Sequence, residues 1–351
     1  MLTSPIKQNR KLFSICIPAY NRTRHLRPLL DSVFGQGCKD FEVVICEDKS
    51  RERAEIASLV AEYSSRYPGV ISYYENPENL GYDGNIRNLV AKANGQFCFF
   101  MGNDDLMAPD ALATVAEILS RHNNVGFVLK SYAWFDYVPE NVNQEVRYFN
   151  EEREFAPGRE AIRVCYRRSG TIAGYVIHRD SAHAVATDKF DGTLYYQMHL
   201  TAQVLVTRCA VATPKVLALV RSGEPPEFGS AAREKGKYVP GQYTPEARHN
   251  MIRGVLTIIE DLKRTRNVDV VEDIRSDYAN YFYVYIRDQL NLPLREYAGL
   301  YRGYGRMGFY RYPMFHVYFL VAYILGDRKF DSMTKFIKRF LGRTPHLGWM
   351  R

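Results

Sequence analysis

Two adjacent carboxylates, Asp104 and Asp105, follow the apolar run "FCFFM" and the dipeptide Gly102-Asn103. Neighbouring charges of one sign repel, so such a pair persists where water screens it or where a cation sits between it and another anion. A hard divalent ion bridging carboxylate and phosphate oxygens is the chemistry that fits. An acidic pair ahead of a helix is also favoured by the helix dipole, and a helix opens near Pro109. By themselves the two residues leave both readings open. Asp48 poses a similar question, because it ends another apolar run, "FEVVICED", although it could simply form a turn before Lys49-Ser50. Between these two runs, "NLGYDGNIRN" carries Gly81 and Arg87. Gly81 permits a close backbone approach. Arg87 stands where a guanidinium could meet an anion or remain a solvated helix charge.

The elements that must position these residues read as an alternation. "LFSICIP", "FEVVICEDKS", "VISYYEN", "FCFFM" and "VGFVLKSYAW" have strand character. Between them, "HLRPLLDSVFGQ", "RERAEIASLVAEYSSRYP", "GYDGNIRNLVAKANG" and "PDALATVAEILSRHNN" carry apolar residues at helical spacing. Strand–helix alternation of this length predicts an α/β fold with a doubly wound, mostly parallel sheet. Ligands of such sheets lie beyond the carboxyl ends of the strands. The strand ends here are Pro18 to Arg22, Glu47 to Ser50, Asn76 to Gly81 and Gly102 to Asp105, so the polar groups converge on one edge.

The 351 residues, 46% hydrophobic and 25% charged, are ordinary for a globular protein and allow a large core. Six cysteines without a CxxC pair, several inside apolar runs, read as reduced core thiols of a cytoplasmic protein. The amino terminus, "MLTSPIKQNRKLFS", lacks the apolar stretch of a signal peptide, and no run approaches the length of a membrane span. The net charge of +8 resides wholly in the part after Leu300. The organisation expected is a nucleotide-binding and catalytic unit over residues 1–220, a flexible Gly- and Pro-rich loop or lid over 221–250, and a helical, basic region over 251–351.

"SICIPAYNR", "FEVVICEDKS" and "NPENLGYDGNIRNLVAKANGQFCFFMGNDDLMAPDAL", in this order, resemble the family 2 glycosyltransferases. The wording "FMGNDDLM", with "RSGEPPEFGSAA" and "YTPEARHNMIRG", is most similar to their bacterial abequosyltransferase-like branch, which builds O-antigen and related surface polysaccharides. The resemblance implies a GT-A fold with a helical C-terminal extension and transfer from a nucleoside-diphosphate-sugar donor to a saccharide hydroxyl. It implies that Pro18, Ala19, Tyr20 and Asp48 line the nucleoside pocket, and that Asn79, Gly81, Arg87 and Asn103 join them around the donor. It also implies that Asp104 and Asp105 hold Mg²⁺ or Mn²⁺. The family's metal motif is commonly Asp-x-Asp-Asp, so Gly102 departs from it.

The family usually supplies the general base from a Glu-Asp pair after "FD…L". Here "KFDGTLYYQMHL" carries Tyr196-Gln197 at about that place, leaving Asp191, His199 and His178 as candidates. Towards the carboxyl end, Phe330, Met333, Phe336, Ile337 and Phe340 share helical spacing with Lys335, Lys338, Arg339 and Arg343 around them. A basic amphipathic helix of this kind suits an anionic membrane surface, which would place the protein on the cytoplasmic face near a lipid-linked acceptor. The neutral body argues against nucleic acid. Two other functions stay open: a sugar nucleotidyltransferase, which "IPAYNRTRHL" disfavours by lacking glycines, and a degenerate, non-catalytic binding protein.

Overall fold

The computed structural model describes residues 10–341. Its first part alternates as expected: β1 (Phe13–Ala19), α1 (Thr23–Phe34), β2 (Phe41–Glu47), α2 (Arg53–Arg66), β3 (Ile71–Glu75), α3 (Gly81–Lys92) and β4 (Phe97–Phe100). Leu26, Leu29, Leu30 and Val33 recur at helical spacing, and all four are buried on the side of α1 that faces the sheet. β1, β2 and β4 are almost wholly buried, which is why they read as continuous apolar runs rather than alternating ones.

The chain continues through β5 (Leu106–Met107), α4 (Ala111–Arg121), β6 (Val125–Phe135), β7 (Val142–Val146), β8 (Arg153–Phe155), α5 (Arg159–Cys165), β9 (Tyr175–His178), α6 (Arg179–Ala184), α7 (Tyr196–Val204) and β10 (Cys209–Arg221). The sheet order is β3-β2-β1-β4-β9-β6-β10-β5, with β7 on β6 and β8 on β10. The half from β3 to β4 is parallel. Beyond it the sheet is mixed: β9 lies antiparallel between β4 and β6, and β10 runs parallel to β6. The short strands β5, β7 and β8, all antiparallel, have too few residues to show a period in the sequence.

After an irregular stretch come α8 (Pro245–Arg266), α9 (Val271–Asn280), α10 (Leu294–Arg306) and α11 (Pro313–Leu341). α8 is well delimited: the Thr244 hydroxyl accepts from the Ala247 N–H at 3.1 Å, Pro245 opens the first turn, and Asn267 closes the helix in the left-handed region. After α9 the chain breaks at Asn280 into short 3-10 turns that run to Gln289. One apolar cluster runs without interruption from Cys16, Val44 and Phe100 in the sheet through α7 and α8 to Phe282, Phe315 and Phe319. The carboxyl-terminal helices thus share the core that covers one face of the sheet.

The cysteines are unpaired, and five of the six are buried. No helix among the described residues is long and apolar enough to cross a membrane. Phe330 does not join an exposed apolar face: it is buried, with its ring 4.3 Å from that of Tyr283. Phe336 is exposed. Arg343 lies outside the described residues, as do the side chains of Lys335, Ile337, Lys338, Arg339 and Phe340.

Candidate active site

The carboxyl ends of β1, β2, β4 and β10, the start of α3 and the segment after Arg221 enclose a cavity of about 560 Å³. Register brings the ends together. The Met101 N–H donates to the Cys16 carbonyl at 3.0 Å, and the Asp48 N–H donates to the Ala19 carbonyl at 3.0 Å. Asn103 then ties β4 to β1 through its side-chain amide, which donates to the Tyr20 and Asn21 carbonyls at 3.2 and 3.0 Å. Its carbonyl oxygen is the acceptor left over.

Of the residues singled out in the sequence, Pro18, Tyr20, Asp48, Asn79, Gly81, Asn103, Asp104 and Asp105 line the cavity. Ala19 is fully buried in the core instead. Arg87 and Asp191 pair with each other outside the cavity lining, and Arg87 also donates to the Thr187 carbonyl at 3.3 Å. His199 is buried on α7, its Nε2 2.9 Å from the Val185 carbonyl oxygen, and burial lowers its pKa. His178 sits beside Ser181 at the start of α6, with its pKa lowered to about 4 by burial. None of Asp191, His199 and His178 is among the cavity's lining residues. The ion pair accounts for Asp191 and the core for His199, since a buried polar group must find its partner where it lies.

Asp48 is occupied by the protein. Its carboxylate accepts from the Asn76 amide at 2.7 Å and from the Leu80 and Gly81 N–H groups at 2.9 Å each, so a side chain from β2 caps α3. Burial pushes its pKa up to about 6, against the pull of those donors. Asn76 in turn accepts from Asn88 at 2.7 Å, which gives Asn88 a structural partner. Gly81 adopts φ of +75°, and a Cβ there would lie 2.6 Å from the Glu234 carboxylate. Glu234, buried, accepts from the Tyr82 and Gly229 N–H groups at 2.9 and 2.7 Å. It thereby fastens the segment 221–250 to the start of α3. Asp83, one residue further, accepts from the N–H groups of Thr193, Leu194 and Tyr196 at 2.8, 2.8 and 2.9 Å.

The Asp104–Asp105 pair is differently held. Asp104 forms an ion pair with Arg22, whose guanidinium also donates to the Pro225 carbonyl. Asp105 is buried, accepts from the Arg221 N–H at 2.9 Å, and has its pKa raised by burial and then by Asp104. A Cβ on Gly102 would lie 2.4 Å from the Asp105 carboxylate, so an aspartate cannot stand at 102 while Asp105 folds back this way. Among the described residues no group of three or more His, Cys, Asp and Glu is placed to hold a metal by itself. Two carboxylates and an amide carbonyl on a cavity wall nevertheless fit Mg²⁺ or Mn²⁺, which take one or two carboxylates and complete their shell from phosphate and water.

Four site residues stand outside the sequence candidates: Arg22, Arg221, Glu234 and Arg248. Arg248 lies 4.0 Å over the Tyr243 ring and pairs with Asp288 at 2.7 Å. Tyr196 and Gln197, at the place where the resemblance leads one to look for a base, are buried and do not line the cavity, whereas the neighbouring Tyr195 does.

Residues 14–176 match the family model described as Glycosyl transferase family 2. The chain carries a family 2 glycosyltransferase domain. The chain aligns with the abequosyltransferase RfbV of Salmonella typhimurium at 32% identity over 114 residues, 32% of this chain and 34% of that protein. An uncharacterized glycosyltransferase of Haemophilus influenzae matches at 30% over 118 residues, 33% of this chain and 37% of the other. The chain thus spans about a third of the length of these two curated relatives. In structure, residues 1–349 of TarS from Staphylococcus aureus, in complex with UDP-GlcNAc, superpose with a TM-score of 0.59 at 17% identity, over 83% of this chain and 79% of that one. The mannosyltransferase PcManGT from Pyrobaculum calidifontis, in complex with GDP-Man and Mn²⁺, gives 0.53 at 15% identity, over 90% and 87%. Both likenesses extend well past residue 176, so the family 2 domain and the elements after it share the GT-A fold.

Proposed function

We propose that this protein transfers a sugar from a nucleoside-diphosphate donor to a hydroxyl of a saccharide, in the assembly of a bacterial surface polysaccharide such as O-antigen. The observation that carries the reading is the convergence of Asp48, the start of α3 and the Asp104–Asp105 pair on one cavity at the carboxyl edge of the sheet. The names of its relatives support it: an abequosyltransferase among sequences, and structures holding UDP-GlcNAc or GDP-Man among folds.

In this reading Pro18 and Tyr20 flank the nucleoside, and the diphosphate lies against Asn103 to Asp105. A divalent cation held by Asp104 and Asp105 neutralises the leaving diphosphate when bound. Arg22 exchanges its partner: it leaves Asp104 for a donor phosphate, a guanidinium's preferred anion. The segment after Arg221 closes the cavity as a lid, pinned at Arg22 through Pro225 and at α3 through Glu234. Among the lining carboxylates, Glu224 is held by Arg24 and His25, whereas Glu227 accepts one 3.3 Å bond from Asn21. Glu227 is therefore our assignment for the group that takes the acceptor's proton. The acceptor side is aromatic, with Tyr195, Phe228 and Tyr243 in the wall. We further propose that the acceptor is lipid-linked and that the protein sits at the cytoplasmic face of a membrane. α11 supports this by exposing Val317, Leu320 and Ile324 at i, i+3, i+7 spacing.

Thermal unfolding with a panel of nucleoside diphosphates and their sugars, with and without Mn²⁺, tests the donor reading. A ligand at a hundredfold its Kd adds about 2.7 kcal/mol to stability. No stabilisation by any nucleotide, with or without the metal, overturns the proposal. Release of pyrophosphate from a nucleoside triphosphate would transfer it to the nucleotidyltransferase reading.

A further inference from the structure

α8 borders two cavities. Its first turns deliver Arg248 and Met251 to the donor cavity. Further along, Arg253 and Glu260 lie on a different face and line a separate cavity of about 330 Å³. Arg275 of α9 and Arg306, Gly308 and Arg311 of the turn from α10 to α11 complete its charged wall. Four guanidiniums therefore surround one concavity, with a single carboxylate, Glu260, among the lining residues.

The local carboxylates leave much of this charge unmatched. Arg275 pairs with Glu260 at 3.0 Å and with Glu272 at 2.6 Å. Arg311 comes only within 4.0 Å of Glu272, and both side chains are mostly exposed. Arg253 donates to the Asn250 side chain at 2.7 Å. Among the described residues, neither Arg253 nor Arg306 has a carboxylate within ion-pair distance. Arg275 uses its two terminal nitrogens on the glutamates, and its Nε is buried without a hydrogen-bond partner. Gly308, at φ of +99°, lies directly against that Nε: a Cβ there would be 3.2 Å away.

Like charges gathered around one open recess add up to a positive potential that attracts an anion. A carboxylate has two oxygens and cannot serve four guanidiniums. A phosphate presents three or more around a tetrahedron, and a diphosphate presents more still. Arg311 stands two residues before α11, whose Val317, Leu320 and Ile324 are exposed.

We propose that this recess is a second anion site, distinct from the donor cavity, that binds a phosphate or diphosphate group supplied either by a membrane lipid headgroup or by a small soluble phosphate. The inference does not depend on the transferase reading.

The test uses the full chain and the double variant Arg253→Gln/Arg306→Gln. Arg147→Gln/Arg163→Gln, which removes the same charge elsewhere, is the control. Binding is followed by calorimetry with inorganic phosphate and pyrophosphate. Co-sedimentation uses phosphatidylcholine vesicles with and without admixed phosphatidic acid. The double variant is expected to lose affinity by about tenfold or more for at least one probe while the control keeps it. Loss confined to phosphatidic acid vesicles identifies a lipid headgroup as the source. Loss for phosphate or pyrophosphate with vesicle binding intact identifies a soluble ligand. Pyrophosphate held in the donor cavity is unaffected by these substitutions and registers as the retained fraction. Unchanged affinity of the double variant for all probes overturns the site. Should the double variant unfold, Arg306→Gln alone, at an exposed position, gives the same readout.

Discussion

Two acidic groups face the donor cavity, and they are built on opposite plans. At the start of α3, Asp48, Asp83 and Glu234 accept almost entirely from backbone N–H groups. At the end of β4, Asp104 is answered by the side chain of Arg22. Backbone amides in a folded core cannot leave, whereas a guanidinium on a long, flexible stem can turn to another anion. The first group is therefore scaffold, although two of its members, Asp48 and Glu234, line the cavity. In the second, Asp105 keeps one backbone donor, the Arg221 N–H, but Asp104 has an exchangeable partner, which is what a site that admits metal and phosphate requires. Carboxylates near a cavity are sorted by who their donors are, not by how close they lie.

The contrast can be broken by exchanging consequences. Asp104→Ala should lower kcat/KM on the order of 10³-fold while leaving the unfolding midpoint nearly unchanged. A comparable loss of stability would place Asp104 with the scaffold. Conversely, Asp83→Ala leaves three N–H groups without an acceptor and should cost about 3 kcal/mol in urea unfolding. Gly81→Ala forces a left-handed backbone and a clash with Glu234, for about 2 kcal/mol, and should loosen the segment 221–250 in hydrogen exchange.

Smaller effects sharpen the same line. Burial lifts the Asp83 pKa from 3.8 to about 7, so between those values the folded chain holds more protons than the unfolded one. Its contribution is fully present below pH 3.8 and is lost as pH rises through about 7. Asp83→Asn should flatten that fall in the unfolding midpoint, read by denaturation across pH 4.5 to 7.5. Arg22→Gln removes the cation that competes for Asp104, and should tighten Mn²⁺ binding to the nucleotide-free protein by about threefold in electron paramagnetic resonance titration. Unchanged or weaker affinity would mean that Arg22 does not compete.

Much of the α/β framework was legible because its signals are local. β1, β2 and β4 announce themselves as apolar runs closed by polar residues, and α1 and α4 by their apolar stripes. The strand-end rule then brings Asp48 and Asp104 to one edge with no further information. β10 was hidden because Pro214 and Lys215 interrupt its pattern at a bulge. α7 was hidden because all nine of its residues are buried, Gln197, His199, Thr201 and Gln203 among them, which leaves no stripe to read. The partners of Arg87 and Glu234 lie about a hundred residues or more away, and no spacing in a single sequence announces a contact of that kind. Tyr195 and Glu227 share that obscurity, since both lie in irregular segments that carry no period.

Asp83 has a further consequence, for the order in which the molecule can be assembled. The donors for its carboxylate are backbone N–H groups at the start of α7, more than a hundred residues further along the chain. Without that acceptor they remain open, and a nine-residue helix is too short to persist alone. α7 is expected to form only once α3 is already docked on the sheet, so the wall bearing Leu194 and Tyr195 closes late. In a chain made from its amino terminus, the nucleotide edge would be in place before the opposite wall of the cavity exists.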